Sequence, residues 1–418
     1  MNISTKDHKK QGLLNKETAE WLIAACCLAM FIGFTCSRAL VSIGMIALLA
    51  TAFLSSNPKQ HFLNYIRRPE LWVLSLFLWI VLASGIYSND KADWLNWVRI
   101  KLPYFALPFA FAAIRQLSNR TFILIVYGFI LTFFVSALVI LTQYALNYEQ
   151  VTQSFLSGSA LKIPYSHIRY SLMLGFSFFC SVYLLREKLY LFTEKEKYLQ
   201  LFLAAFAFIA LHIISVRSGL LSVYAGLLFL ALHTIFTQRK WVLGLGVIAA
   251  IAVLPFAAYQ LVPSLHNKIA YMRYDLQEYR RGNINDRSDA MRLLSMEIGI
   301  DVWKQSPALG CGAGDLKKEC FDIYKNQHPQ ITEANYRLPH NQFIWVLATT
   351  GVVGLVLFMV AFFYPFITNG LYKQWIAVIL FIGLFSSFFT EHSLEEQMGT
   401  AFYLIFLLLL LNRFKHEQ

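Results

Sequence analysis

The sequence predicts an all-α protein built into a membrane, with about twelve transmembrane helices and one polar, helical loop. Three observations lead there. Hydrophobic residues make up 57% of the 418-residue chain and charged residues only 14%. Apolar runs of roughly 20 residues recur along its length, and as helix each is long enough to cross about 30 Å of hydrocarbon. The runs are continuous, whereas barrel strands alternate, and lipid leaves backbone amides no third way to be satisfied.

The N-terminal stretch "MNISTKDHKKQGLLNKETAE" is polar and basic. No small-residue cleavage site follows the first apolar run, so that run reads as a retained helix rather than a signal peptide. The spans fall at 20–36, 39–54, 71–87, 102–114, 122–144, 166–185, 198–214, 219–237, 241–262, 340–363, 374–390 and 398–412. The runs at 102–114 and 398–412 are the shortest for a crossing. Residues 1–262 thus form nine helices, 263–339 the loop, and 340–418 three more helices.

Charge sets the orientation, because Lys and Arg concentrate in short cytoplasmic segments. With the N-terminus inside, 18 of the 36 cations fall in inside segments, 7 in short outside segments and 11 in the long loop. Both termini are therefore expected in the cytoplasm. The net charge of +12 follows largely from this bias, and no nucleic-acid partner is expected.

The loop is too short for a typical independent domain. Its segments "AYMRYDLQEYRR" and "SDAMRLLSMEIGIDVWKQSP" are amphipathic at helical spacing, with Met291, Leu294, Ile298 and Val302 as one stripe. Ser288 or Asp289 is placed to cap the second helix, and Pro307 follows its end. "GCGAGD", Gly310 to Asp315, reads as a flexible turn, and the whole as a small helical cap on the outer membrane face. Cys26, Cys27, Cys36 and Cys180 read as small apolar packing residues, while Cys311 and Cys320 are spaced for a disulfide if their side is oxidising. No His/Cys cluster suggests a metal, and no cofactor is expected.

Ionisable groups near membrane depth are functional candidates by default. His340 and Asn341, behind Pro339, open the tenth span. They read either as a helix cap or as a general base with an amide orienting it or the substrate. Arg217, in "SVRSGLL" between two spans, reads as a snorkelling residue or as an anion clamp assisted by Ser215 and Ser218. Arg292 lies on the loop helix and reads as a solvated face or a second anion contact. Arg287 carries the same choice, with the solvated face favoured. Arg99 and Lys101 stand beside Trp94 and Trp97, which read as interfacial anchors. Arg169 opens the sixth span next to His167, and Glu391 ends the eleventh. Several cations and a histidine thus converge on one membrane face without the carboxylate pairs of a metal site. That pattern fits a metal-independent site for a phosphate-bearing lipid.

The stretches "RLLSMEIGIDVWKQSPALGCGAG" and "LPHNQFIWVLATTGVVGL" resemble the signature of the O-antigen ligase and polymerase superfamily, and "SVRSGLLSV" resembles its span arginine segment. The specific likeness covers residues 210–360, while the first 200 residues agree mainly in hydropathy. The resemblance implies an inverting, metal-independent glycosyltransferase of the GT-C type in the bacterial inner membrane, with its site on the periplasmic face. It implies a glycan donor on undecaprenyl diphosphate and, in the ligase branch, a sugar hydroxyl of the lipid A core as acceptor. It carries over Arg217 and Arg292 as diphosphate contacts and His340 as the catalytic residue. Asn341, Arg99, Arg169 and Glu391 are candidate supporting residues. Membrane lipids are the other expected partners, and a monomer is expected. "FFTEHSLEEQMG" differs from the enterobacterial ligases, which leaves subgroup and acceptor open. An O-antigen-type polymerase, a protein O-oligosaccharyltransferase and, in another class, a lipid-linked glycan transporter or a membrane scaffold are the competing readings.

Overall fold

A computed structural model describes residues 14–55, 57–156, 161, 163, 165–282 and 288–414. Arg287 and, from the charge count, Lys6, Lys9, Lys10, Lys162 and Lys415 lie outside the described residues. The described residues form helices and no strand.

Each of the twelve apolar runs holds helix, but their lengths differ in a way the sequence did not weigh. Among the described residues, eight helices are long and apolar enough to cross a membrane: Lys16–Cys36, Arg38–Ser55, Asn119–Leu146, His167–Arg186, Glu196–Ile214, Arg217–Phe236, Trp241–Leu261 and Gln342–Thr368. Pro69–Ser84, Trp375–Phe388 and Gln397–Arg413 are shorter apolar helices. Pro103–Ala113 has 11 residues, and at about 1.5 Å per residue it rises only half the thickness of the hydrocarbon. Burial accounts for much of the shortness. From Met398 to Asn412 every residue of Gln397–Arg413 is buried, so this helix is surrounded by protein and need not match a bilayer. Trp241–Leu261 is the opposite case: only Gly244 is buried along it.

Some interhelical polar contacts are made by small residues. Ser222 Oγ lies 2.7 Å from Ser386 Oγ and joins Arg217–Phe236 to Trp375–Phe388. Such bonds between small side chains let apolar helices approach closely. An aromatic cluster lies in the core: Phe31, Phe129, Phe176, Phe402 and Phe406 meet edge to face or stacked around the buried C-terminal helix.

The loop is helical, with Pro263–Arg280, Ser288–Gln305 and Leu316–Gln327 as its helices. The predicted stripe is buried: Met291, Leu294, Ile298 and Val302 are 0–2% exposed. Of the two predicted caps, the Ser288 side chain lies outside the described residues, and Asp289 turns its carboxylate to Arg217 and Arg292. Asp275 from the preceding helix accepts the amides of Asp289 (2.9 Å) and Ala290 (3.2 Å) on Oδ2.

The "GCGAGD" turn is a correction to the sequence reading, because it is locked rather than flexible. The helix Gln342–Thr368 breaks at Gly351, where φ is +64°. The chain from Pro307 to Gly312 fits into the break. Cys311 and Gly312 donate to the carbonyls of Ala348 and Thr349 (2.9 and 2.8 Å), and Val352 and Val353 donate back to Pro307 and Ala308 (3.0 and 3.2 Å). Backbone groups freed by the break are satisfied by the turn, as buried backbone must be. Asp315 then accepts the amides of Asn89 and Asp90, tying the turn to the end of the third predicted span. Cys311 and Cys320 are free thiols, and burial pushes both upward in pKa, Cys311 to about 12. Trp94 and Trp97, the expected interfacial anchors, are half-buried. Trp94 Nε1 donates to the Val81 carbonyl at 2.8 Å, and Trp97 meets the Trp345 ring edge-on.

Candidate active site

The N-terminal ends of His167–Arg186, Arg217–Phe236 and Gln342–Thr368 and the C-terminal end of Trp375–Phe388 meet beneath the helix Ser288–Gln305. Two polar clusters form there. The first is a cavity of about 350 Å³, lined by His167, Ser215, Arg217, Ser218, Lys268, Asp289, Arg292 and Thr390 among other residues. Arg217 is the first residue of its helix. Its Nη2 lies 2.7 and 2.8 Å from the two carboxylate oxygens of Asp289. Arg292 Nη1 reaches the same carboxylate at 3.4 Å, one helical turn along. Arg292 Nη2 stands 3.5 Å from His167 Nε2, and its Nε is buried without a hydrogen-bond partner. Lys268 enters from Pro263–Arg280 and donates to the Ile214 carbonyl at 2.8 Å. Burial, with Arg217 beside it, pushes the Lys268 ammonium down to about 8. Three cations and one carboxylate thus share one pocket, and the guanidinium groups suit phosphate oxygens.

The second cluster is built on Glu391. His340 Nδ1 lies 3.3 Å from Glu391 Oε1, and His392 Nδ1 lies 3.1 Å from the same oxygen. The approach of His340 is close in distance but off the hydrogen-bond direction, since its Nδ1 makes no geometrically sound bond. His392 Nδ1 also faces the Pro339 carbonyl at 3.1 Å, so it carries the proton. Arg169 backs the cluster, 3.7 Å from Glu391 and 3.0 Å from Glu396. Burial alone would raise the Glu391 carboxyl. The close approach of His340 and the charges of His392, His340 and Arg169 outweigh it and hold the carboxyl well below the usual range.

His340, Glu391 and His392 place three ligand-type atoms within 4.8 Å of one another. The sequence reading missed this grouping. Its chemistry fits a hydrogen-bonded carboxylate better than a metal site. The His392 nitrogen involved is committed as a donor to Pro339, and Arg169 already supplies the carboxylate with a cation.

His340 and Asn341 do not lie inside the helix they precede, which starts at Gln342. Asn341 caps it, accepting the amides of Phe343 and Ile344 at 2.9 and 3.1 Å. Its Nδ2 reaches the Phe389 carbonyl at 3.4 Å. His340 makes no cap; its own amide donates to Ser295 Oγ at 3.2 Å. His340 borders the cavity without lining it, one turn beyond Arg292 on one side and beside the segment Phe389–Glu391 on the other. A buried pair fixes that segment from below: Lys101 Nζ and Gln342 Nε2 both donate to Glu395 Oε1, at 2.7 and 2.6 Å. Gln342 Oε1 accepts the Leu394 amide.

The structure therefore brings together Arg217 with Arg292, and His340 with Glu391, Asn341 and Arg169. It does not bring Arg99 in: that side chain is exposed and outside the cavity lining. Lys268, Asp289, Ser295, Lys101 and Glu395 were missed. Asp289 had a readable signal, an acid three residues before Arg292 on a helix. Lys268 had none.

A larger apolar groove of about 1250 Å³ lies between Lys16–Cys36 and Asn119–Leu146. Its carboxylate, Glu196, is occupied by the amides of Leu191, Phe192 and Thr193. The groove offers apolar surface and no cation for an anionic group, so the smaller cavity is the candidate site.

Residues 202–359 match the family model described as O-Antigen ligase. The match contains Arg217, Lys268, Asp289, Arg292, Ser295 and His340, and ends before Glu391. No curated protein matches the chain at a significant level.

Proposed function

We propose, from the O-antigen ligase-like core that residues 202–359 carry, that this multi-pass membrane protein transfers a glycan from undecaprenyl diphosphate to a sugar hydroxyl of the lipid A core. The observation that carries the reading is the adjacency of a cavity holding two arginines and a lysine to a histidine backed by a carboxylate. Arg217, Lys268 and Arg292 suit the diphosphate of a lipid-linked donor. His340 suits the proton of an acceptor hydroxyl.

The chemistry is a single displacement. The acceptor oxygen forms a bond to the anomeric carbon as the bond from that carbon to the diphosphate oxygen breaks. The electron pair leaves with the diphosphate, and the hydroxyl proton passes to His340 Nε2. One displacement inverts the anomeric centre. Glu391 can only accept, so it favours the proton on Nδ1 of His340, leaves the Nε2 lone pair free and stabilises the imidazolium that forms. Arg217 and Arg292 meet the charge growing on the leaving group, which positions them for electrostatic stabilisation without a metal ion.

In this reading the protein lies in the bacterial inner membrane with both termini cytoplasmic and the site periplasmic. It has the GT-C architecture, and residues 263–339 form the periplasmic cap. A monomer is the expected state. The test offers purified protein a glycan on undecaprenyl diphosphate together with lipid A core, a second lipid-linked glycan or a glycoprotein acceptor, in EDTA. Product on the lipid A core supports ligation. Product on either of the others moves the protein to the polymerase or protein-transferase branch. Bound donor without any product argues for a transporter.

A further inference from the structure

We infer that Asp289 is the counter-anion that releases the spent lipid diphosphate from the cavity, an inference that rests on the diphosphate reading of the site. Its carboxylate is not needed for helix capping, because Asp275 already takes the amides of Asp289 and Ala290. Instead it lies against both arginines, 2.7 Å from Arg217 and 3.4 Å from Arg292, where an incoming diphosphate would bind.

Charge decides its effect. Arg217, Lys268 and Arg292 with Asp289 leave the cavity two positive charges. A donor diphosphate is esterified at both ends and carries two negative charges, which the cavity balances. Transfer breaks the sugar ester and frees a terminal phosphate oxygen, whose second ionisation lies near pH 6. The product lipid diphosphate therefore approaches three negative charges. A cavity without Asp289 would balance the product better than the donor and hold it. With Asp289 present, the carboxylate repels the third charge and then reoccupies Arg217 and Arg292. The device trades product affinity for turnover, as uniform tight binding gains nothing in rate.

The test uses full-length protein and Asp289→Asn, which keeps the shape and removes the charge. Undecaprenyl diphosphate is the probe, measured by direct binding and as an inhibitor of transfer. The expected result is binding tighter by about tenfold or more. Transfer should then begin with a burst of about one product per enzyme and continue at a slower steady rate. Asp289→Glu, which restores the charge, should remove the burst. Thermal melting in the same detergent checks that both variants are folded. Product affinity unchanged or weakened in a folded Asp289→Asn protein overturns the inference and makes Asp289 a positioning residue for the arginines. If wild-type protein binds no undecaprenyl diphosphate, this inference and the diphosphate reading fail together. If wild type binds it and Asp289→Asn binds it equally, only the inference fails.

Discussion

Ser295 Oγ accepts the backbone amide of His340 at 3.2 Å, and Ser295 sits one helical turn after Arg292. The bond couples two parts of the chain that sequence separates: the loop helix carrying an arginine of the cavity, and the segment carrying the candidate base. Ser295 is wholly buried and also donates to the Arg292 carbonyl at 2.7 Å. The distance between base and cation cluster is therefore set by rigid elements, and a site of this kind depends on such support.

The two arginines should behave as directional contacts. Arg217→Ala and Arg292→Ala are each expected to weaken donor binding or turnover by tenfold or more, about 1.4 kcal/mol per tenfold. Lysine at either position should restore little, because an ammonium lacks the planar fork. Donor KM and kcat measured for each variant check this, and full rescue by lysine would reduce the site to generic charge.

Glu391 should act through His340. Its carboxyl is held below the usual carboxylate range, so it is ionised wherever the enzyme works. The stabilising interaction is present above the ordinary carboxylate pKa and is lost only as pH falls toward the depressed value. Acid inactivation near neutrality thus cannot come from Glu391 itself. Glu391→Gln is expected to lower kcat by about 10–100-fold and leave donor KM nearly unchanged. An unchanged kcat in a folded Glu391→Gln protein would separate Glu391 from the base.

Chelation should not matter. The cations of the cavity are protein side chains, and in the His340–Glu391–His392 grouping the His392 Nδ1 is committed to Pro339 and the carboxylate is paired with Arg169. Transfer in EDTA is expected to equal transfer in buffer alone. Loss in EDTA with recovery on adding a divalent ion would place a metal in the mechanism.

Gly351 should be needed for stability rather than for contact with substrate. A Cβ there would stand 2.2 Å from the Ala308 carbonyl oxygen, and its φ is +64°. With ψ at −166° the backbone lies in a region almost confined to glycine, which costs another residue about 1–3 kcal/mol, and the clash adds to it. Gly351→Ala is expected to lower the melting temperature in detergent and reduce folded yield. A melting curve like that of wild type would show that the turn at Pro307–Gly312 can move away.

Hydropathy made the helices legible, and the stripe Met291–Val302 made the loop helix legible, because burial follows periodicity. Crossing number was less legible. An apolar run enclosed by other helices, as at 398–412, reads like a span while needing no bilayer match. Arg217, Arg292 and His340 stood out as polar groups at apolar boundaries. Lys268 and Ser295 did not, because nothing local distinguishes a lysine or serine that folding carries to a cavity from one on a wet surface. Arg99 and Lys101 illustrate the same limit. Two residues apart on one helix, the first faces outward and the second is buried against Glu395.

The central claim is that His340 takes the acceptor proton beside a donor held by the cavity. The measurement that meets it most directly is single-turnover transfer by wild type and His340→Ala, with bound donor quantified in the same samples. The account predicts equal donor binding and a loss of transfer rate of about 10²–10⁴-fold in the variant. Transfer near the wild-type rate by a folded, donor-loaded His340→Ala protein would contradict it.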